Sequence, residues 1–317
     1  MKTIEITMLF LGSVIGAGFA TGAEIITFFG KINLPNWCIA IVVGLTMFVV
    51  IGLQILLNYS QKTQPPKTNN TKCWQSKIGD VFLTLIYFIL FTAMTAGIMS
   101  ITNISVTIIS LIISICIVMF GFNQLSRLNT YIVITIIALI ISLALPHLQT
   151  TVPHYNWQHL PANMLWGFLY AGLNCFIFPD LIKASAQHHQ RKTLVWAGAL
   201  TAFIITCLVG FILTTIKNTN SQTAAIPLLT ASPNYVSIIV ILLAILTSQY
   251  TALFAIIQRL DKIVPNKKPR PFTRIVGICV LTFLCSFLGF NQIINFAYPI
   301  IGAITCVFLL FSWLRRQ

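Results

Sequence analysis

The sequence predicts an all-α integral membrane protein with ten transmembrane helices, and three observations carry that reading. Of its 317 residues, 57% are hydrophobic and only 8% are charged, whereas soluble domains carry about 25% charged residues. Apolar runs of about 18 residues or more, the length a bilayer demands, recur along the chain. Once the runs are alternated across a membrane, the Lys and Arg residues gather on one side, as topology signals do.

The spans fall roughly at 4–30, 36–58, 79–100, 104–121, 128–146, 161–182, 193–215, 235–257, 273–289 and 293–314. The apolar block 81–120 is too long for one helix and divides at Ser100-Ile101-Thr102-Asn103. The block 273–314 divides at Gly289-Phe290-Asn291-Gln292. With the N-terminal side taken as inner, 17 of the 19 Lys and Arg lie in inner segments, and only Lys31 and Lys217 lie outside. A missed span would scramble that alternation, so both termini are expected in the cytoplasm, with the protein in the cell membrane. The same placement explains the net charge of +14 as attraction to an anionic inner leaflet. No nucleic-acid recognition motif accompanies it. The N-terminal apolar run continues too far for a cleavable signal.

Span 1 organises the chain. It carries Gly12, Gly16, Gly18 and Gly22, together with an acid, Glu24. Glycine costs about 1 kcal/mol against alanine inside a helix, so Gly16-Ala17-Gly18 reads as a break. A break frees backbone groups, and these survive in a bilayer only where protein buries them or a wet cavity meets them. After span 2, residues 59–78 contain Gln64-Pro65-Pro66-Lys67 and read as a solvated inner loop. Gly121-Phe122-Asn123-Gln124 joins spans 4 and 5, and the same tetrapeptide, 289–292, joins spans 9 and 10 on the opposite side. That pattern supports two inverted five-span halves, about 4–146 and 161–314, within one domain spanning 1–317. Span 6 is interrupted by Tyr170-Ala171-Gly172-Leu173-Asn174 where span 1 has its glycines, and Pro179-Asp180 follows much as Glu24 does. The outer segment 217–234 is too apolar for a plain linker. It is either a lid over the outer mouth or a surface turn.

Matching interruptions in two halves are the best sequence pointer to a transporter site. The expected substrate contacts are Gly16, Ala17, Gly18, Thr21, Glu24, Tyr170, Gly172 and Asn174. Glu24 lies about 9–10 Å inside the outer end of span 1 at 1.5 Å per residue. Ala17, Thr21 and Glu24 share a helical face with the break. An acid at that depth suits a proton carrier or a cation ligand, and the alternative is a structural acid bonded to a neighbouring helix. Asp180 has Lys183 three residues on and reads as an ion pair, while Glu5, Asp80 and Asp261 read as solvated. No Lys or Arg lies deep in a span, so an anionic group would depend on backbone amide groups at the breaks. Phe176 and Phe178 could gate the site or simply pack, and Tyr87 and Thr95 of span 3 could face it. The glycine pairs spaced by four have a plain alternative in close helix packing. Trp37, Trp157 and Trp313 suit interface anchors. The eight cysteines form neither a zinc site nor a disulfide framework. No nucleotide-binding or hydrolytic motif is present, so an enzyme is not expected.

The run Gly16-Ala17-Gly18-Phe19-Ala20-Thr21-Gly22-Ala23-Glu24 resembles the first helix of the YkvI family of bacterial membrane proteins. That family looks like a remote branch of the amino acid–polyamine–organocation superfamily. The resemblance implies a LeuT-like 5+5 inverted repeat with helices 1 and 6 broken. Ala244-Ile245-Leu246-Thr247-Ser248 in span 8 is similar to the sodium-binding segment of the eighth helix in that fold. The similarity implies ligation by the Ala244 carbonyl and the Thr247 and Ser248 hydroxyls, with carbonyls near Leu11 and Val14. Hard cations favour such oxygen donors, although Ser and Thr also bond their own helix backbone. The implied function is secondary transport, coupled to sodium or protons, of a small solute such as an amino acid or related zwitterion or amine. A channel-like or regulatory membrane protein on the same scaffold is the alternative. The expected partners are a small-molecule substrate and the lipid bilayer, and no cofactor is expected apart from sodium.

Overall fold

A computed structural model describes residues 2–59, 70–120, 122–147, 156–176, 178–186, 189–224, 226–263 and 271–314. The described residues form helices joined by short turns. Span 1 is three helices: α1 (Lys2–Val14), α2 (Ala17–Thr21) and α3 (Ala23–Phe29). Then come α4 (Asn36–Tyr59), α5 (Asn70–Ile101), α6 (Ile104–Met119), α7 (Phe122–Ala144), α8 (Leu160–Cys175), α9 (Phe178–Ala186) and α10 (Arg191–Asn218). They are followed by α11 (Pro227–Ala231), α12 (Tyr235–Ile263), α13 (Pro271–Ser286), α14 (Phe290–Gln292) and α15 (Tyr298–Leu314). A single π-helical turn, Ile293–Ala297, links the last two.

Each of the ten apolar segments read from the sequence coincides with one helix or a broken run of them. Six helices are long and apolar enough to cross a membrane by length and composition, and Thr3–Val14, Ile104–Met119 and Phe272–Ser286 are shorter apolar helices. Their surface is inverted relative to a soluble protein. Leu45, Phe48, Trp196, Phe203, Phe308 and many other large apolar residues are exposed, while threonines and serines are buried. A soluble monomer rarely exposes such continuous apolar area, so a lipid surround explains it. Inside, hydroxyls such as Thr201 and Thr214 bond the carbonyl four residues back, which satisfies them without a partner helix.

Both expected divisions hold for physical reasons. Asn103 caps α6, its Oδ1 accepting from the Val106 amide at 3.1 Å, a typical start signal. Gly289 has φ of 92°, a turn open to glycine. Its counterpart Gly121, and the side chains of 122–124, lie outside the described residues. The segment between α10 and α12 folds back: α11 packs on α2, α3, α10 and α12, with Leu228 buried.

The expected interruption at Tyr170–Asn174 is corrected by the structure. All five residues are helical within α8, and the run ends at Cys175, with α9 starting at Phe178. Gly172 serves packing, since a Cβ there would come within 2.6 Å of the Gly302 carbonyl of α15. Small residues permit such backbone approach between membrane helices. The true gap is stabilised from α4, where Gln54 Nε2 donates to the Cys175 carbonyl at 2.7 Å. Pro179, in the first turn of α9, has no amide to satisfy.

Candidate functional site

The break in span 1 lies at Ile15–Gly16, one residue earlier than the glycine pattern suggests, and Ala17 and Gly18 are already helical in α2. Its backbone groups can be accounted for one by one. The Ile15 amide still reaches the Leu11 carbonyl at 2.8 Å, and the Gly16 amide turns back to Val14 O at 2.9 Å. The Ala17 amide donates to the sulfur of Met94 on α5 at 3.2 Å. The Ile15 carbonyl accepts from Ser248 Oγ of α12 at 3.1 Å. A second discontinuity follows at Gly22, whose φ of 75° is left-handed and so favours glycine.

That second turn re-aims Glu24. A continuous helix would align it with Ala17 and Thr21, but the Thr21 hydroxyl instead bonds the Ala17 carbonyl at 2.7 Å. Glu24 reaches Gly18: a Cβ there would lie 2.7 Å from Glu24 Oε2 and 3.2 Å from the Tyr298 ring. Glu24 is 4% exposed. Its Oε1 accepts from Asn174 Nδ2 at 2.8 Å, and the same nitrogen donates to the Tyr170 carbonyl at 3.1 Å. No Lys, Arg or His among the described residues reaches this carboxylate. The bond to Asn174 joins the two broken segments, 150 residues apart in sequence.

A cavity of about 50 Å³ opens beside this pair, room for a few waters, since one needs about 10–15 Å³ on this scale. Of the expected contacts, Gly16, Glu24 and Asn174 line it; Ala17, Gly18, Thr21, Tyr170 and Gly172 are not part of that lining. From Gly16 the cavity runs back along α1 to Gly12, along α5 from Met94 to Tyr87, and along α12 from Ser248 to Ala252. All three directions lead to one end of the bundle. There Arg259 Nη1 meets Asp80 Oδ1 at 2.8 Å, and the guanidinium sits 5.6 Å from the centre of the Tyr87 ring. Asp80, expected to be solvated, is therefore ion-paired, because Arg259 is itself buried and requires a partner. Tyr87 also meets Phe176, ring centres 5.0 Å apart. Phe178 stacks on Phe10 instead, and Thr95 accepts from Gln249 Nε2. The side chains of Asp180 and Lys183 lie outside the described residues. At the other end, Phe28 meets Trp166 and Tyr170 edge-on at 5.8 and 5.5 Å, and Phe29 meets Tyr170 at 5.5 Å.

The oxygen set expected for sodium is assembled in part. Ser248 stands at the break, but its partner is Ile15 and not Val14 or Leu11. Thr247 Oγ1 is turned to the Ala244 carbonyl at 2.8 Å. Of the expected side-chain oxygens, Ser248 Oγ meets the break while Thr247 and Ala244 bond each other; the donor types are those a hard cation takes. The sequence reading missed Ile15, Met94, Thr251 and Tyr298. Thr251 shares a face with Ser248 by the i, i+3 rule and could have been found. Tyr298 has no such signal, since the π-helical turn before it sets its direction.

No protein-family model matches the chain. The chain is 21% identical to the membrane protein YkvI of Bacillus subtilis over 96% of its own length and 93% of the relative's. It is 26% identical to the protein YyaD of the same organism, over 95% and 93%. Among solved structures, it is similar to the manganese transporter of Eremococcus coleocola, solved with an aromatic bis-isothiourea substituted compound. That match has a TM-score of 0.60 at 9% identity and covers 98% of this chain and 78% of the transporter. The YkvI resemblance thus extends over nearly the whole chain, and the fold is one used by a membrane transporter.

Proposed function

We propose that the protein is a secondary transporter of a small solute, an amino acid or a related zwitterion or amine, coupled to sodium or protons. The observation that carries this is the cavity at the interrupted first span, where Glu24 is buried and bonded to Asn174 across the second interrupted segment. Interrupted helices facing a common cavity are how secondary transporters build substrate and ion sites. A local cavity gathered on Glu24 and the break in span 1 favours a carrier over a channel-like protein on the same scaffold. In this reading the ten helical segments form two inverted halves with a LeuT-like arrangement. The Lys/Arg-rich ends face the cytoplasm. Ser248, Thr247 and the carbonyls of Ala244 and Ile15 are the candidate sodium ligands, with Leu11 and Val14 beside them. Glu24 is the candidate proton carrier.

The test is uptake into vesicles holding the purified protein, with an imposed sodium or proton gradient. Glu24→Gln keeps shape and removes charge, so concentrative uptake should fail under proton coupling while exchange survives. Replacing Thr247 and Ser248 together by alanine should remove sodium stimulation. Concentrative uptake that survives both changes at the wild-type level would sink the coupling assignments.

A further inference from the structure

The hydrogen-bond inventory around the cavity is lopsided. Its backbone, amide and aliphatic hydroxyl donors are spent. The Gly16 amide goes to Val14 O and the Ala17 amide to Met94 Sδ. Asn174 Nδ2 is shared between Glu24 and the Tyr170 carbonyl. The hydroxyls of Ser13, Ser248 and Thr251 donate to the carbonyls of Phe10, Ile15 and Thr247. Acceptors remain. Glu24 Oε2 lies against Gly18 with no hydrogen bond among the described residues. The hydroxyl of Tyr298, able to accept or donate, is buried with no partner among the described residues, and it sits within electrostatic range of Glu24.

A carboxylate is acceptor-only and an ammonium is donor-only. A solute carboxylate would find little beyond the Tyr298 hydroxyl to donate to it, and it would sit beside the Glu24 carboxyl. An ammonium would find a free carboxylate oxygen, the Tyr298 phenol oxygen, and the rings of Tyr87, Phe176 and Tyr298 lining the same space. Aromatic faces attract cations, and a charge-assisted bond is about twice as strong as a neutral one. A divalent metal fits less well, because it wants about six oxygen ligands, and beside the single carboxylate the cavity lining has only neutral oxygens, from Ser13, Asn174, Ser248, Thr251 and Tyr298, among rings and a thioether.

We infer that the carried solute is a small organic cation, an ammonium group without a neighbouring carboxylate, seated between Glu24 and the Tyr298 ring. This rests on the transporter reading above and narrows it from zwitterion or amine to amine.

The experiment is calorimetric titration of the full chain in lipid nanodiscs with ethylamine, alanine, propionate and manganese chloride. The first three share a carbon skeleton and differ in charge. Ethylamine should bind, alanine should bind at least about tenfold more weakly, and propionate and manganese should not register. Glu24→Gln should weaken ethylamine by at least about tenfold. The wild-type series decides the matter even if that variant fails to fold. Alanine binding as tightly as ethylamine, manganese binding that Glu24→Gln abolishes, or no ethylamine binding to the wild type would each overturn the inference. Vesicle uptake of the same probes separates the two readings. Carried alanine with inert ethylamine keeps the transporter and overturns the amine. Ethylamine that binds at Glu24 but never crosses supports the amine and sinks the transporter.

Discussion

Past Glu24 stands the ring cluster of Phe28, Phe29, Tyr170 and Trp166; past Tyr87 stand Arg259 and Asp80. The first closure is ring packing, with Phe29 and Tyr170 fully buried and α11 packed on α3, which carries Phe28 and Phe29. The second is an ion pair whose Asp80 side chain is 27% exposed. Ring packing depends on shape and is indifferent to salt. A partly exposed ion pair is weakened by screening and releases its partners to water at modest cost. The cavity also extends toward the ion pair. The Arg259 end is therefore the one closer to opening in this conformation, and the aromatic end is the one sealed.

The largest expected effect breaks the sealed end. Phe29→Ala removes a fully buried ring and should cost about 3–5 kcal/mol, read as a fall in melting temperature in detergent. The same variant should leak solute in vesicles. A loss under about 1 kcal/mol would mean that the rings are not tightly packed against one another.

A smaller effect is expected at the other end. Asp80→Asn strips Arg259 of its carboxylate partner and should cost about 2 kcal/mol, below the 3–5 of a fully buried pair because Asp80 is partly wet. The loss should shrink as salt rises, whereas that of Phe29→Ala should not. Adding Arg259→Met should recover part of the loss, a coupling that a double-mutant cycle reads directly. Equal salt responses at the two ends would erase the distinction between them.

What the sequence disclosed follows the range of the forces involved. Helix ends at Asn103 and Gly289 were legible because caps and left-handed turns are local. Glu24 and Asn174 were legible because a polar residue in an apolar span needs an explanation wherever it lies. The gap after Cys175 was not, because the glycine that pointed to Tyr170–Asn174 answers to Gly302, 130 residues away, and the carbonyl at the real gap is satisfied by Gln54 of α4. A lone glutamine in α4 was a signal left unread. Asp80 looked solvated because its partner lies 179 residues further on. The carbonyl that meets Ser248 is that of Ile15 and not Val14 because the break begins before Gly16, a one-residue matter that composition cannot settle.

The smallest effect sharpens the comparison at the point where the two ends meet. Tyr298 touches Gly18 beside Glu24 and lines the cavity, and its hydroxyl is buried with no partner among the described residues. A buried hydroxyl left unbonded is a standing penalty. Tyr298→Phe removes that group and keeps the ring, so stability should stay level or rise by up to about 1 kcal/mol. If the hydroxyl awaits the solute, ethylamine affinity should fall a few-fold in the same variant, with the larger loss reserved for Glu24→Gln. Level stability with undiminished affinity would make the hydroxyl a tolerated defect of the sealed side. A drop of more than about 1 kcal/mol in the ligand-free protein would show that it already has a partner, contrary to the geometry. Only the combination of unchanged stability and weakened binding assigns the hydroxyl to the solute.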